Sequence, residues 1–253
     1  MSHFIAMLKK EMIEGLRTYR ILIMLLVFAG FGVLSPFTAK LTPDLLNSIM
    51  PEFGLTLPNP IALDSWAQFF KNVSQMGLIV TVIVFSGILA NELTRGTLVI
   101  MLTKGLSRTA VILAKYCYMV LIWTASLLVS FLVTLAYTVY LFPNGAVLNL
   151  AFSVFCLWLF GAFLLALLLL AANLGNHSYS CLLMVGLALA VLMIINIWPQ
   201  AQQYNPLALA SLNMGLLEGL TTPLEMAWSI GVASVLAVVA LGAAVLMFRK
   251  KQL

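Results

Sequence analysis

Asn91, Glu92, Asn173, Asn196 and His177 are the side chains of this sequence best placed for chemistry, because each falls at the edge of an apolar run. A reaction centre built there would need an acid, a base or an amide donor from different runs to face one another. Their spacing forms no known catalytic constellation, so a membrane-embedded enzyme stands as an alternative class. His3 and His177 are too far apart in the chain to suggest a metal site. Cys117, Cys156 and Cys181 all lie inside apolar runs, odd in number and without disulfide or metal-ligand spacing, which marks them as packing residues. No GxxxxGK followed by Ser or Thr occurs, so the chain is not expected to hydrolyse a nucleotide unaided. We expect no metal and no cofactor in this chain.

The elements that would position these residues are set by composition. Of 253 residues, 63% are hydrophobic and 8% charged, against roughly 25% charged in an ordinary globular protein. Six apolar runs lie near Ile21 to Ala39, Val73 to Ala90, Tyr116 to Leu141, Leu148 to Ala172, Tyr179 to Trp198 and Met226 to Phe248. Each approaches the roughly 20 helical residues that cross a hydrocarbon layer of about 30 Å. None carries Asp, Glu, Lys or Arg in its interior, which disfavours an ion-driven carrier. The expected fold is an all-α integral membrane protein of six transmembrane helices, forming one transmembrane domain over residues 1–253. No small-residue cleavage site follows the first apolar run, so we expect no removable signal peptide.

Basic residues give the orientation, because Lys and Arg are retained on the cytoplasmic side. With six spans both termini share a side, and that side would hold Lys9, Lys10, Arg17, Arg20, Arg95, Lys104, Arg108, Lys115, Arg249, Lys250 and Lys251. The other side would hold only Lys40 and Lys71. Both termini are therefore expected in the cytoplasm. Residues 1–20 place Ile5, Leu8, Met12 and Leu16 on one helical stripe and Lys10, Glu14 and Arg17 on another, the pattern of an amphipathic helix lying in the membrane surface. The loop after the first span has prolines at 43, 51, 58 and 60 and cannot be one helix. It has room for short helices at Pro43 to Met50 and Ile61 to Phe70, with Trp66 at headgroup level. The external segment 199–225 contains an apolar piece, Leu207 to Leu220, too short to span. It could dip into the membrane and return, or lie flat outside it.

The remaining hydrophilic stretch, NELTRGTLVIMLTKGLSRTAVILAKY from Asn91 to Tyr116, breaks at Gly96, offers an apolar piece and turns again at Gly105. Ser107 is placed to cap the helix that follows. This stretch resembles the cytoplasmic coupling segment of type-2 ATP-binding-cassette (ABC) transporter permeases at Glu92, Gly96, Thr97, Leu98, Ser107, Arg108 and Lys115. Gly105 or Leu106 stands where that family usually has a proline. The resemblance extends to the basic start, the six spans, the prolonged first external loop and the Asn205-Pro206 pair before the last span.

The resemblance implies a permease subunit in the cell membrane that pairs with a second permease subunit, identical or similar, and with a cytoplasmic ABC ATPase. ATP and Mg would belong to that partner, and no nucleic acid is implied. Residues 91–115 would form the coupling segment, with Glu92, Arg95, Lys104 and Arg108 making polar contacts to the ATPase. Gly96 and Gly105 would shape the segment, and Thr97 and Leu98 would begin its packing face. The implied activity is export of a hydrophobic or amphipathic cargo, such as an antimicrobial peptide, a drug or a lipid-linked molecule. A sensor or signalling protein without turnover is the alternative within the same architecture.

Overall fold

The computed structural model describes residues 3–49, 59–94, 96–98, 103, 105–142, 147–175 and 177–251. Among the described residues every regular element is helical, and six helices are long and apolar enough to cross a membrane. The candidate spans are Arg20–Pro43, Ala62–Thr94, Arg108–Leu141, Leu150–Leu174, Ser178–Ile195 and Ala227–Lys250, consistent with a multi-pass membrane protein.

The chain opens with α1 (His3–Arg17), turns at Tyr19 with φ 59°, and continues as α2 (Arg20–Ile49). Helix α2 runs through Pro36 and Pro43, although each proline removes one backbone hydrogen bond. It therefore extends well past the expected limit at Ala39 and takes in the start of the predicted short helix at Pro43. The rest of that stretch, from residue 50, lies outside the described residues.

The second span starts earlier than its hydropathy indicates. Helix α3 (Ala62–Asn72) passes through a π-helical turn, Val73–Gly77, into α4 (Leu78–Phe85) and α5 (Gly87–Thr94). Between residues 62 and 76 no Gly or Pro interrupts the helix, and the π turn absorbs the change of register. The expected outer-surface helix at 61–70 is thus the first turns of the second span. Trp66 faces the bundle rather than an outer surface: it is 2% exposed, with ring centroids 5.5 Å from Phe69 and 5.4 Å from Phe131.

Helix α6 (Arg108–Leu141) has 34 residues, about 51 Å at 1.5 Å per residue. It exceeds the hydrocarbon thickness, so its first turns are a stalk beyond the apolar run that begins near Tyr116. Helix α7 (Leu150–Leu174) is the central element, with most of its length buried. Helix α8 (Ser178–Ile195) packs mainly on α7 and leaves its other faces open. Short helices α9 (Pro199–Gln202), α10 (Ala208–Ser211) and α11 (Asn213–Glu218) follow at the far end. The chain turns at Gly219 and returns as α12 (Ala227–Lys250).

The apolar piece Leu207 to Leu220 is thereby two short helices, α10 and α11, rather than one. Asn205 opens it, its Nδ2 donating to the Leu192 carbonyl at 2.7 Å and its Oδ1 accepting from the Leu207 amide at 3.0 Å. Leu209 and Leu216 pack inward against α7. Helix α12 also lies against α7, burying Ser229, Ala233, Ala240, Ala244 and Phe248 on one face. The alanines allow the two backbones to approach closely without a large side chain between them.

Candidate functional site

Helix α1, helix α5 and the stalk of α6 meet at one end of the bundle, together with the last turn of α12. The face that α1 turns inward is Met7, Glu11 and Gly15, spaced by four residues. The apolar stripe anticipated from sequence is split, with Leu8 and Met12 half-buried and Ile5 and Leu16 exposed. Gly15 is required at its position: a Cβ there would stand 1.9 Å from the Tyr118 hydroxyl. That approach brings Glu11 over the stalk of α6.

Lys115, on that stalk, is completely buried. Its Nζ lies 2.8 Å from Glu11 Oε1, 2.7 Å from Glu92 Oε2 and 2.8 Å from the Ile88 carbonyl oxygen. Three elements therefore converge on one ammonium. Lys10 extends the network, with Nζ 3.1 Å from Glu11 Oε1, 2.6 Å from Glu14 Oε2 and in contact with Glu92 Oε1. Arg20 closes it at 3.8 Å from Glu14 Oε1.

Glu11, Glu14 and Glu92 each offer an oxygen within 4.8 Å of the others, a spacing compatible with a cation ligand set. Lys10, Lys115 and Arg20 supply three positive charges to these three carboxylates. The cluster is balanced by the protein's own ammonium and guanidinium groups. Burial works against the charge on Lys10, but hydrogen bonds to Glu14 and Glu92 and the charges of Glu92 and Glu11 outweigh it and raise its pKa above 10.5. Burial also pushes Glu14 upward, yet the hydrogen bond from Lys10 and the charges of Lys10, Lys115 and Arg20 hold it below 4.5.

Glu92, expected to face a partner, is 7% exposed and directed into this network. The segment after it turns at Gly96 with φ 68° and again at Gly105 with φ 90°, a region that disfavours residues with a Cβ. Thr97 is exposed and its hydroxyl donates to the Glu92 carbonyl at 3.4 Å, whereas Leu98 is fully buried. Arg95, Lys104 and residues 99–102 lie outside the described residues. Ser107 caps α6, its Oγ accepting from the Ala110 amide at 3.3 Å. Arg108 turns back to donate to the carbonyls of Phe248 at 3.1 Å and Arg249 at 3.0 Å, and to that of Lys251. A cation there satisfies carbonyls that the end of a helix leaves unpaired.

The residues singled out for chemistry are distributed along the bundle. Asn91 Oδ1 accepts from the Ser178 hydroxyl at 3.0 Å, and His177 occupies the N-cap position of α8. Asn173 Nδ2 donates to the carbonyls of Leu169 at 3.1 Å and Ala244 at 3.2 Å, joining α7 to α12. Asn196 Oδ1 accepts from Asn205 Nδ2 at 3.3 Å. That contact is beyond the other end of α8, whose 18 residues separate it from Asn91 by about 27 Å. Sequence spacing did not reveal Glu11 and Lys115 as partners, which stand 104 positions apart; the one local hint was a glutamate on the same helical side as Met7 and Gly15.

No curated protein matches the chain. The model of a family described as "Protein of unknown function (DUF2705)" matches residues 50–253. The match includes Glu92, Lys115 and the stretch between them, and five of the six candidate spans. The chain therefore belongs to the DUF2705 family.

Proposed function

We propose that this chain is the membrane subunit of a type-2 ABC transporter, pairing with a second permease subunit and exporting a hydrophobic or amphipathic cargo at the expense of a separate ATPase. The observation that supports this reading best is how the stretch from Glu92 to Arg108 is fastened. Its first end is tied through Glu92 to α1 and α6, and its second through Arg108 to the end of α12. A displacement applied between two such anchors reaches α1 and the second, third and sixth spans together. This is what a coupling element must do, given two arrangements that nucleotide biases differently.

In this reading Glu92 positions the segment from inside, and the partner meets the exposed side around Thr97, Thr103 and Gly105. Arg95 and Lys104 would add charge to that contact. Helix α1 would lie in the inner membrane surface with Ile5 and Leu16 toward lipid. The basic end would be cytoplasmic by the distribution of Lys and Arg.

The test is purification of the full chain from its native membrane followed by identification of bound ATPase. A cysteine replacing Thr103 is expected to cross-link to that ATPase, and Arg108→Glu to reduce ATP hydrolysis by the complex on the order of tenfold. Recovery of the chain with no ATPase, or hydrolysis indifferent to Arg108→Glu, would reject the proposal.

A further inference from the structure

A lateral groove of about 740 Å³ runs between α3–α4 and α8, floored by Phe160 and Leu164 of α7 and closed at the far end by α10 and α11. Its volume falls within the roughly 300–1,000 Å³ of small-molecule sites. Most of its length is apolar, including Leu78, Val82 and Leu189, while polar groups collect where α3 meets α11. There Lys71 is exposed, and no ion pair among the described residues engages it.

Asn213 supplies a second, independent sign of a ligand. It lines the same groove, is 1% exposed, and its Nδ2 donates to the Ala210 carbonyl at 3.1 Å. That bond fixes the amide, leaving Oδ1 buried with no hydrogen-bond partner. A buried acceptor without a donor is costly in a folded protein. One water would satisfy Asn213 but would leave the apolar wall and the Lys71 charge unused. A neutral lipid tail would cover the wall but bring neither an anion nor a donor.

We propose that this groove binds an acidic lipid from the surrounding leaflet whose headgroup carries both a phosphate and a hydroxyl. The phosphate faces Lys71, the hydroxyl donates to Asn213 Oδ1, and an acyl chain lies along α4 and α8. Binding needs no ATPase and stands whether or not the chain transports anything.

The experiment is native mass spectrometry of the full-length chain in detergent. The probes are phosphatidylglycerol, phosphatidylcholine and phosphatidylmethanol with identical acyl chains. Phosphatidylglycerol should be retained more than about fivefold over phosphatidylcholine, because one lysine near a membrane surface alone contributes about that ratio and the hydroxyl adds to it. Phosphatidylmethanol, an anion without the hydroxyl, should fall between them. Lys71→Gln, at an exposed position, should lower phosphatidylglycerol retention by about fivefold, the lysine's share, and leave only the smaller preference that the hydroxyl supplies. Gly186 lines the groove and a Cβ there meets nothing within 4 Å, so Gly186→Phe should fold normally, fill the space and abolish retention of all three. Equal retention of phosphatidylglycerol and phosphatidylcholine would overturn the proposal, as would undiminished binding by Gly186→Phe. Phosphatidylmethanol retained as well as phosphatidylglycerol would remove the Asn213 contact and with it the assigned ligand. A lipid-free dimer that Gly186→Phe dissociates would assign the groove to a second copy of the chain.

Discussion

Replacing Lys115 with alanine would leave Glu11 and Glu92 close together in a buried site with one of their two shared cations gone and only half-buried Lys10 between them. Removing one member of a buried ion pair costs about 3–5 kcal/mol, so Lys115→Ala should lower the thermal midpoint of the detergent-solubilised protein markedly. A methionine at 115 combined with Glu11→Gln should recover part of that loss, because fewer unpaired charges remain. Thermal unfolding followed by tryptophan fluorescence distinguishes the two. Glu14 adds a pH dependence with a definite sign. Its folded pKa lies below 4.5, so its contribution is complete above 4.5 and is lost as pH falls through the lower folded value. Lys10 acts in the opposite window: its raised pKa means that its contribution persists until pH climbs past 10.5. The protection of α1 amides, taken relative to their intrinsic exchange rate at each pH, should therefore be flat around neutrality and fall on acidification below about pH 4.5.

Helix α1 is held by two features of different kind, the charge network and the close approach of Gly15 to Tyr118. Gly15→Leu forces a side chain into space the tyrosine fills, a change that costs about 1–3 kcal/mol where packing is tight. The expected outcome is release of α1 from the bundle with the candidate spans intact, read as faster proteolysis after Lys9, Lys10 and Arg17. An unchanged cleavage rate would mean that the charges alone dock the helix. At the segment after α5, Gly96 and Gly105 occupy left-handed backbone. Alanine at either should cost about 1–2 kcal/mol locally, and the double variant should weaken cross-linking from Thr103→Cys more than it shifts the thermal midpoint. The positions of these turns were legible from sequence because glycine is the residue that tolerates them. The direction of Glu92 was not legible, since a glutamate at the edge of an apolar run can face either solvent or a partner helix.

For the whole molecule, six candidate spans place the end of α12 beside the start of α6 and α1 beside α5, so both termini and the Glu92 to Arg108 stretch share one end. Single cysteines at Thr97 and Thr221 should label from opposite sides of a sealed vesicle with a membrane-impermeant reagent. Labelling of both from one side would break the six-span topology. The count and order of the spans followed from hydropathy alone, because a segment that must leave water needs a long uninterrupted apolar run. Their lengths did not: Ala62 to Asn72 lies outside the apolar run that begins near Val73, yet it joins the second candidate span through the π turn and buries Trp66.

By itself, the sequence determined the helical class, the number of candidate spans, the clustering of basic residues toward one end and the two glycine turns, all of which depend on composition or on a few neighbouring residues. Tertiary structure decided that Glu11, Glu92 and Lys115 form one buried network, that Arg108 closes the end of α12, and that Asn213 and Lys71 share a groove. Those outcomes depend on which helices touch. In a chain whose spans are nearly uniform in hydropathy, shape and a handful of distant polar pairs set those contacts, and local periodicity does not encode them.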